Sequence, residues 1–402
     1  MITRTYTITD DNFTKNGINA LNITQLDRRL ECGMFFDIET TGFFAERNAL
    51  YLIGVCCYEQ GQWRLTQWMA QDESPEEQRL ILEHFLDAIA KVPTIISYNG
   101  QTFDLPFIAK KCAALHLSAD FSSWEHWDLY KEIRKVGSFL GLKNLKLKTV
   151  ERFLGIYRED QYSGGDLIPI YKSYTGNHSH ALEELLLLHN YEDIKDMLFI
   201  LPILSYRQLF CGPWKISDPR LNTDKKSGAR KPELSFTIAF DHPLPKTLGE
   251  KNFFIDTKGS IFSSNALPQN QPAAILPQFA PFSLHITAKT MTLTLPFISG
   301  ELKYFYDNYR DYYYLPEEDC AVHKSVAAFV DKSYRKKATA KNCYTKKAGY
   351  FLPQPEQIFT PAFKYEYNDK LSWFEAENAE FSETNKVSYI QCFLRFLNFG
   401  SF

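Results

Sequence analysis

The stretch Phe35-Phe36-Asp37-Ile38-Glu39-Thr40-Thr41-Gly42 sets two carboxylates two residues apart in a run that is otherwise apolar. Side chains of a strand alternate between faces, so this spacing puts Asp37 and Glu39 on one side and Phe36 and Ile38 on the other. A strand of that kind belongs in a layered fold that buries one face and builds a polar site on the other. Two like charges side by side are costly unless a cation lies between them, and hard divalent ions accept carboxylate and water ligands. Taken alone, the pair also suits a solvated edge strand carrying two ordinary acids.

Up to about residue 208, short apolar runs alternate with amphipathic stretches, the pattern of a layered α/β domain. Strands are predicted at 34–38, 50–58, 63–69 and 94–98. A helix is predicted from Ser74-Pro75-Glu76-Glu77, with Leu80, Leu82, Phe85, Leu86 and Ile89 at helical spacing. Another follows Asp104 through Phe107, Ile108 and Cys112, and the strongest spans 181–204. Residues 1–30 read as an N-terminal extension and 31–208 as the α/β domain. Residues 209–232, rich in Gly, Pro, Ser and charge, read as a linker. Two-residue alternation at 234–240, 283–288 and 290–295 makes 233–402 a mostly β domain, with one or two helices such as 323–330.

Partners and compartment are bounded by what the chain lacks. No run of 18 apolar residues occurs and Met1-Ile2-Thr3-Arg4-Thr5 lacks a secretory pattern, so no membrane partner is expected. Eight cysteines without Cys-x-x-Cys spacing predict reduced thiols in a cytoplasmic setting. The formal net charge of -3 offers no overall attraction to nucleic acid, so such binding requires local basic clusters.

Two further motifs accompany the acid pair. In Ile95-Ile96-Ser97-Tyr98-Asn99-Gly100-Gln101-Thr102-Phe103-Asp104, an apolar strand enters an Asn-Gly turn and Asp104 stands at a helix start. An Asp there also suits the helix dipole, worth about 0.3 to 1 kcal/mol. In His189-Asn190-Tyr191-Glu192-Asp193, His189 and Asp193 are four apart and share one helix face. A structural His–Asp pair satisfies the same spacing.

In chain order these pieces resemble the three exonuclease motifs of the DEDD superfamily on the ribonuclease H-like fold. The spacers Leu145-Lys-Leu-Lys-Thr-Val-Glu-Arg-Phe-Leu-Gly155, Arg158-Glu159-Asp160 and Ser163-Gly-Gly-Asp166 are similar to its bacterial YprB-type branch. The resemblance covers about residues 30 to 208 and implies a mixed central sheet flanked by helices. It makes Asp37, Glu39, Asp104 and Asp193 the metal-binding acids, holding two divalent cations, Mg2+ or Mn2+. It implies hydrolysis of DNA or RNA phosphodiesters from a free 3′ end, with a single strand as the natural partner. Asp37 is then expected to bridge the ions, Glu39 and Asp193 to complete one site and Asp104 to act near the other; two ions about 3.5 to 4 Å apart activate water and clamp the leaving oxygen. His189 falls at the general-base position, but four residues before the last acid where the related patterns have Tyr four before or His five before; one residue turns a helical side chain by about 100°. Asn99, Gly100 and Phe103 are expected to line the nucleotide cleft, Gly100 allowing close approach of a strand. Asp128 is a supporting candidate and Asp196 a rival for the last acid. A structure-selective endonuclease and a catalytically weak nucleic-acid adaptor are the alternatives on the same fold.

The second half has a local basic cluster. Residues 324–350 hold eight Lys or Arg against one Asp, with Tyr334, Tyr344 and Tyr350 interleaved. Lys336, Lys337, Lys346 and Lys347 are its candidate phosphate contacts and the rings its stacking surfaces. A solvated basic loop has the same composition. The Tyr-rich stretch 304–315 reads as strand and turn packing. Oligomeric state is not legible.

Overall fold

The acid-bearing segment forms a central strand of a six-stranded mixed sheet. The computed structural model describes residues 1–9, 27–212, 214–222, 232–263 and 279–397, which divide into two units, Met1–Tyr206 and Arg207–Phe399. In the first, strands β1 (Ile2–Ile8), β2 (Gly33–Thr40), β3 (Leu50–Glu59), β4 (Gln62–Met69), β5 (Thr94–Ser97) and β6 (Glu125–Asp128) lie in the order β1-β4-β3-β2-β5-β6. β1 to β4 pair antiparallel, whereas β5 and β6 run parallel to β2. Gln60 and Gly61, both at positive φ, make the two-residue turn between β3 and β4.

Alternation along β2 sets the two faces apart as the sequence predicts. Met34, Phe36 and Ile38 join Ile81, Leu82, Phe85 and Ile89 of helix α1 (Pro75–Ile89) in the core, with the Phe36 and Phe85 rings 5.5 Å apart. Full burial of each such side chain is worth about 1.5 to 3 kcal/mol. Ser74 caps α1 by accepting from the Glu77 N–H, with Pro75 in the first turn. Helix α2 (Asp104–Ala114) follows β5, α3 (Leu129–Leu140) follows β6, and α4 (Leu147–Leu154), α5 (Gly164–Asn177) and α6 (His180–Phe199) complete the unit.

Several expectations change. The stretch read as an extension supplies β1, paired with β4 along its whole length and tied by Arg4 to Glu183 at 2.6 Å; only its 10–26 part lies outside the described residues. The long helix stops at Phe199 rather than 204, because Pro202 lacks an N–H and disfavours helical geometry before it; the chain continues as a 3-10 stretch, Leu201–Arg207. Lys215–Ile216 and Arg220–Asn222, within the segment read as linker, pair with strand Glu233–Ala239.

The second unit is mostly β, in antiparallel sheets of seven, three and three strands. The helix expected at 323–330 is a single turn, Lys324–Ala327, and a longer one without a clear sequence signal runs Glu383–Leu394. Its Tyr389 and Phe393 pack on Phe236 and Phe282 of the larger sheet. Among the described residues no helix is long and apolar enough to cross a membrane.

Candidate active site

Four of five consecutive residues on α6 organise the site, Asn190 on the polar face of β2 and His189, Glu192 and Asp193 on the loop after α4. Asn190 donates to the Asp37 carboxylate at 2.9 Å and accepts from Gln67 at 2.8 Å. Asp37, Gly54 and Gln67 stand in register across β2, β3 and β4, so Asn190 lies over a row of three strands. A methyl at Gly54 would meet Asn190 Oδ1 and Ile194 Cδ1 at 2.2 Å each, so the glycine lets α6 settle this close to the sheet.

The other three members of the motif hold the loop after α4. His189 Nδ1 is 2.8 Å from Asp160 Oδ2. Glu192 accepts from the backbone N–H groups of Glu159 (3.1 Å) and Asp160 (2.9 Å). Asp193 receives the guanidinium of Arg158, which also donates to Glu151 at 2.7 Å and lies 3.3 Å from Asp196. Arg158 is only 4% exposed, and against its desolvation Asp193 and then Glu151 hold its pKa up.

Asp37, Glu39, Asp104, His189 and Asp193 lie together. His189 Nε2 is 3.5 Å from Glu39 Oε1 and 3.5 Å from Asp193 Oδ2, and these three residues offer donor atoms close enough to share one ion. Burial first, then Asp193, Asp104 and Glu39, push the Asp37 carboxyl well above its ordinary range. Burial, then Asp193 and Asp104, do the same to Glu39. Asp104 is pushed up to about 7, chiefly by burial, although its own N–H and that of Ile38 favour the anion. Among the described residues no Lys or Arg pairs with Asp37, Glu39 or Asp104. Buried carboxylates raised by one another, around an imidazole nitrogen, are a donor set that suits a divalent cation.

The supporting candidates sort by position. Asp128 accepts from the N–H groups of Asn99 (2.8 Å) and Tyr130 (3.0 Å), fixing the Asn-Gly turn while capping α3. Asn99 is exposed at φ 67°. Gly100 is buried, and a methyl there would meet Ser97 Oγ at 2.5 Å and Asp104 Oδ2 at 3.3 Å; its smallness makes room for the protein's own side chains. Phe103 is half-buried and meets Phe43 edge-to-face at 6.0 Å. Phe43 is 82% exposed and escaped the sequence reading, since a lone aromatic after a strand carries no periodic signal. Asp196 is fully buried behind Arg158, and burial pushes its carboxyl up to about 7; Asp193 is the acid that faces Asp37 and Glu39.

In the second unit, Lys336 and Lys337 are exposed on a two-residue strand against Tyr313 and Tyr314. Lys346 is paired with Asp319 at 2.5 Å and Lys347 with Glu375 at 2.7 Å. Tyr334 and Tyr350 are exposed, whereas Tyr344 is buried and donates to Asp319 at 2.5 Å.

A family model of the RNase_H superfamily, RNase_H_2, matches residues 34–204. Among solved structures, the chain is similar to the family B DNA polymerase from the hyperthermophilic archaeon Pyrobaculum calidifontis, at 13% identity and a TM-score of 0.35 over 56% of this chain and 34% of the polymerase. The chain thus spans about a third of that polymerase's length. No curated protein matches.

Proposed function

We propose, taking residues 34–204 as a ribonuclease H-like domain, that the chain is a metal-dependent 3′-to-5′ exonuclease acting on DNA or RNA. The convergence of Asp37, Glu39, Asp104 and Asp193, the first three without a Lys or Arg partner among the described residues and Glu39 and Asp104 buried, carries this reading. These acids hold the divalent cations, Mg2+ or Mn2+, and two such ions supply the charge that activates water and stabilises the leaving oxygen. Asn190 fixes the Asp37 carboxylate toward the others, and Arg158 fixes Asp193. Arg158 and Asp160 belong to the spacer motif behind the YprB-type likeness. Phe43 and Phe103 offer an aromatic surface on which a terminal base can stack. In the second unit, Lys336 and Lys337 contact substrate phosphates.

The test uses the full chain and an oligonucleotide labelled at one end or the other, with Mn2+ or Mg2+. A 5′ label shortening one nucleotide at a time, metal-dependent and abolished by Asp37→Asn, is the expected result. Internal fragments would move the reading to an endonuclease, and undiminished cleavage by pure Asp37→Asn would remove the site.

A further inference from the structure

The exonuclease reading leaves two features unused: the direction in which His189 points and the Asp160 that holds it. His189 is 4% exposed and sits inside the ring of acids. Its Nδ1 is 2.8 Å from Asp160 Oδ2, so in the neutral ring Nδ1 carries the proton and Nε2 the lone pair. Nε2 faces Glu39 Oε1 and Asp193 Oδ2 at 3.5 Å each, longer than a hydrogen bond. For metal bonds of about 2.0 to 2.2 Å, adjacent donor atoms stand about 3 to 3.5 Å apart.

We infer that His189 is a metal ligand through Nε2, with Asp160 as its positioning residue, and that the site therefore takes a nitrogen-accepting transition ion such as Mn2+ in preference to Mg2+. The inference rests on the reading of the acid cluster as a metal centre. Placement four residues before Asp193 brings His189 onto the same helix face as that acid, so the two close on one point from successive turns. A nitrogen that faces the ion has no lone pair left for a water proton, and the ligand role replaces the general-base expectation.

Asp160 has the form of the support that metal-binding histidines use. Ligating imidazoles almost always give their other N–H to a carboxylate or carbonyl, which sets the tautomer and ring orientation. Asp160 is itself anchored: its carboxylate also accepts from Lys148 Nζ (2.9 Å) and the Tyr162 N–H (3.0 Å), and its own N–H is held by Glu192. An acceptor anchored in this way fixes the orientation of the ring it holds. Imidazole ligands favour later divalent metals over Mg2+, whose preferred donors are oxygens.

The test is pulsed electron paramagnetic resonance on the full chain loaded with Mn2+, which reads nitrogen directly bonded to the ion. Nitrogen coupling is expected in the unaltered protein and lost in His189→Gln, with Mn2+ still held by the acids. Asp160→Ala is expected to keep the coupling while lowering Mn2+ affinity about 10- to 100-fold. Bound Mn2+ without nitrogen coupling in the unaltered protein overturns the inference and leaves the metal centre standing. Coupling that persists in His189→Gln overturns it too. A protein that binds no Mn2+ at millimolar concentration overturns both.

Discussion

Replacing Asp104 by Asn separates what the acid cluster costs from what it does. Burial is the main cause that raises this carboxyl from 3.8 to about 7. A carboxyl raised on folding binds more protons folded than unfolded between the two values, so its contribution to stability falls as pH climbs from about 4 to about 7 and stays low above that. Moving from 3.8 to about 7, with each tenfold change in proton affinity worth 1.36 kcal/mol, amounts to about 4 kcal/mol. Asn removes the charge but leaves one of the two N–H groups, of Asp104 or Ile38, with a poorer acceptor, at about 1 kcal/mol. Without metal, Asp104→Asn is therefore expected to be about 3 kcal/mol more stable than the parent near pH 8 and slightly less stable near pH 4. Urea unfolding in chelator, followed by helical circular dichroism, reads the first unit, which holds all but one of the described helices of eight or more residues. Carboxyls with lowered values, such as Asp160 and Asp319, give stability that is lost as pH falls, the opposite slope, and cancel in the difference between parent and variant. A difference that does not change with pH, or a variant weaker than the parent near pH 8, would refute the reasoning.

Arg158→Met strands Glu151, Asp193 and Asp196 around a lost cation, and is expected to cost about 3 to 5 kcal/mol, a drop of roughly 6 to 20 °C in a melt; adding Glu151→Gln should recover part of it. Gly54→Ala is expected to cost about 1 to 3 kcal/mol and to weaken Mn2+ binding by lifting Asn190 from Asp37; a parental melt with parental affinity would contradict the packing account. Lys336→Gln with Lys337→Gln should reduce the salt dependence of nucleic-acid binding by a slope of about 2, and Lys346→Gln with Lys347→Gln by less, because Asp319 and Glu375 already neutralise that pair. Equal effects of the two pairs would refute the neutralisation argument, and an unchanged slope in both would detach the basic segment from binding.

What the sequence made legible is what depends on local period. Asp37 and Glu39 share a face because strands alternate, and His189 and Asp193 share one because helices turn in 3.6 residues. The Asn-Gly turn was readable because few residues tolerate φ 67° as Asn99 does. Contacts between distant segments left no such trace. Nothing local marks Gly54 as the spot where α6 lands, or Gln67 as the partner of Asn190 across 123 residues. Arg158 and Asp160 were visible as a motif, yet their roles emerge only when α6 brings Glu192 and His189 over the loop. β1 had a local signal, since Ile2, Tyr6 and Ile8 alternate with Thr3, Thr5 and Thr7, but Arg4 interrupts the apolar face, and the pairing with β4 that half-buries that face has no local mark.

The site's carboxylates fall into two groups by what balances them. Glu151, Asp193 and Asp196 share Arg158, Asp160 has Lys148, and Glu192 has two backbone N–H groups. Among the described residues, Asp37, Glu39 and Asp104 lack a charged partner and raise one another, with Asn190 as a neutral donor to Asp37 and the N–H groups of Asp104 and Ile38 as donors to Asp104. The first group holds α6 against the loop whether or not an ion is present, so the proposed ligands would be fixed before an ion arrives. The second group is in deficit until it does, and a ligand at a hundred times its dissociation constant returns about 2.7 kcal/mol. That is the same order as the cost worked out for Asp104 alone. The same ion that serves the proposed hydrolysis is thus expected to restore much of the stability that the inner acids remove, so that chelator should lower the melting temperature of the parent more than that of Asp104→Asn.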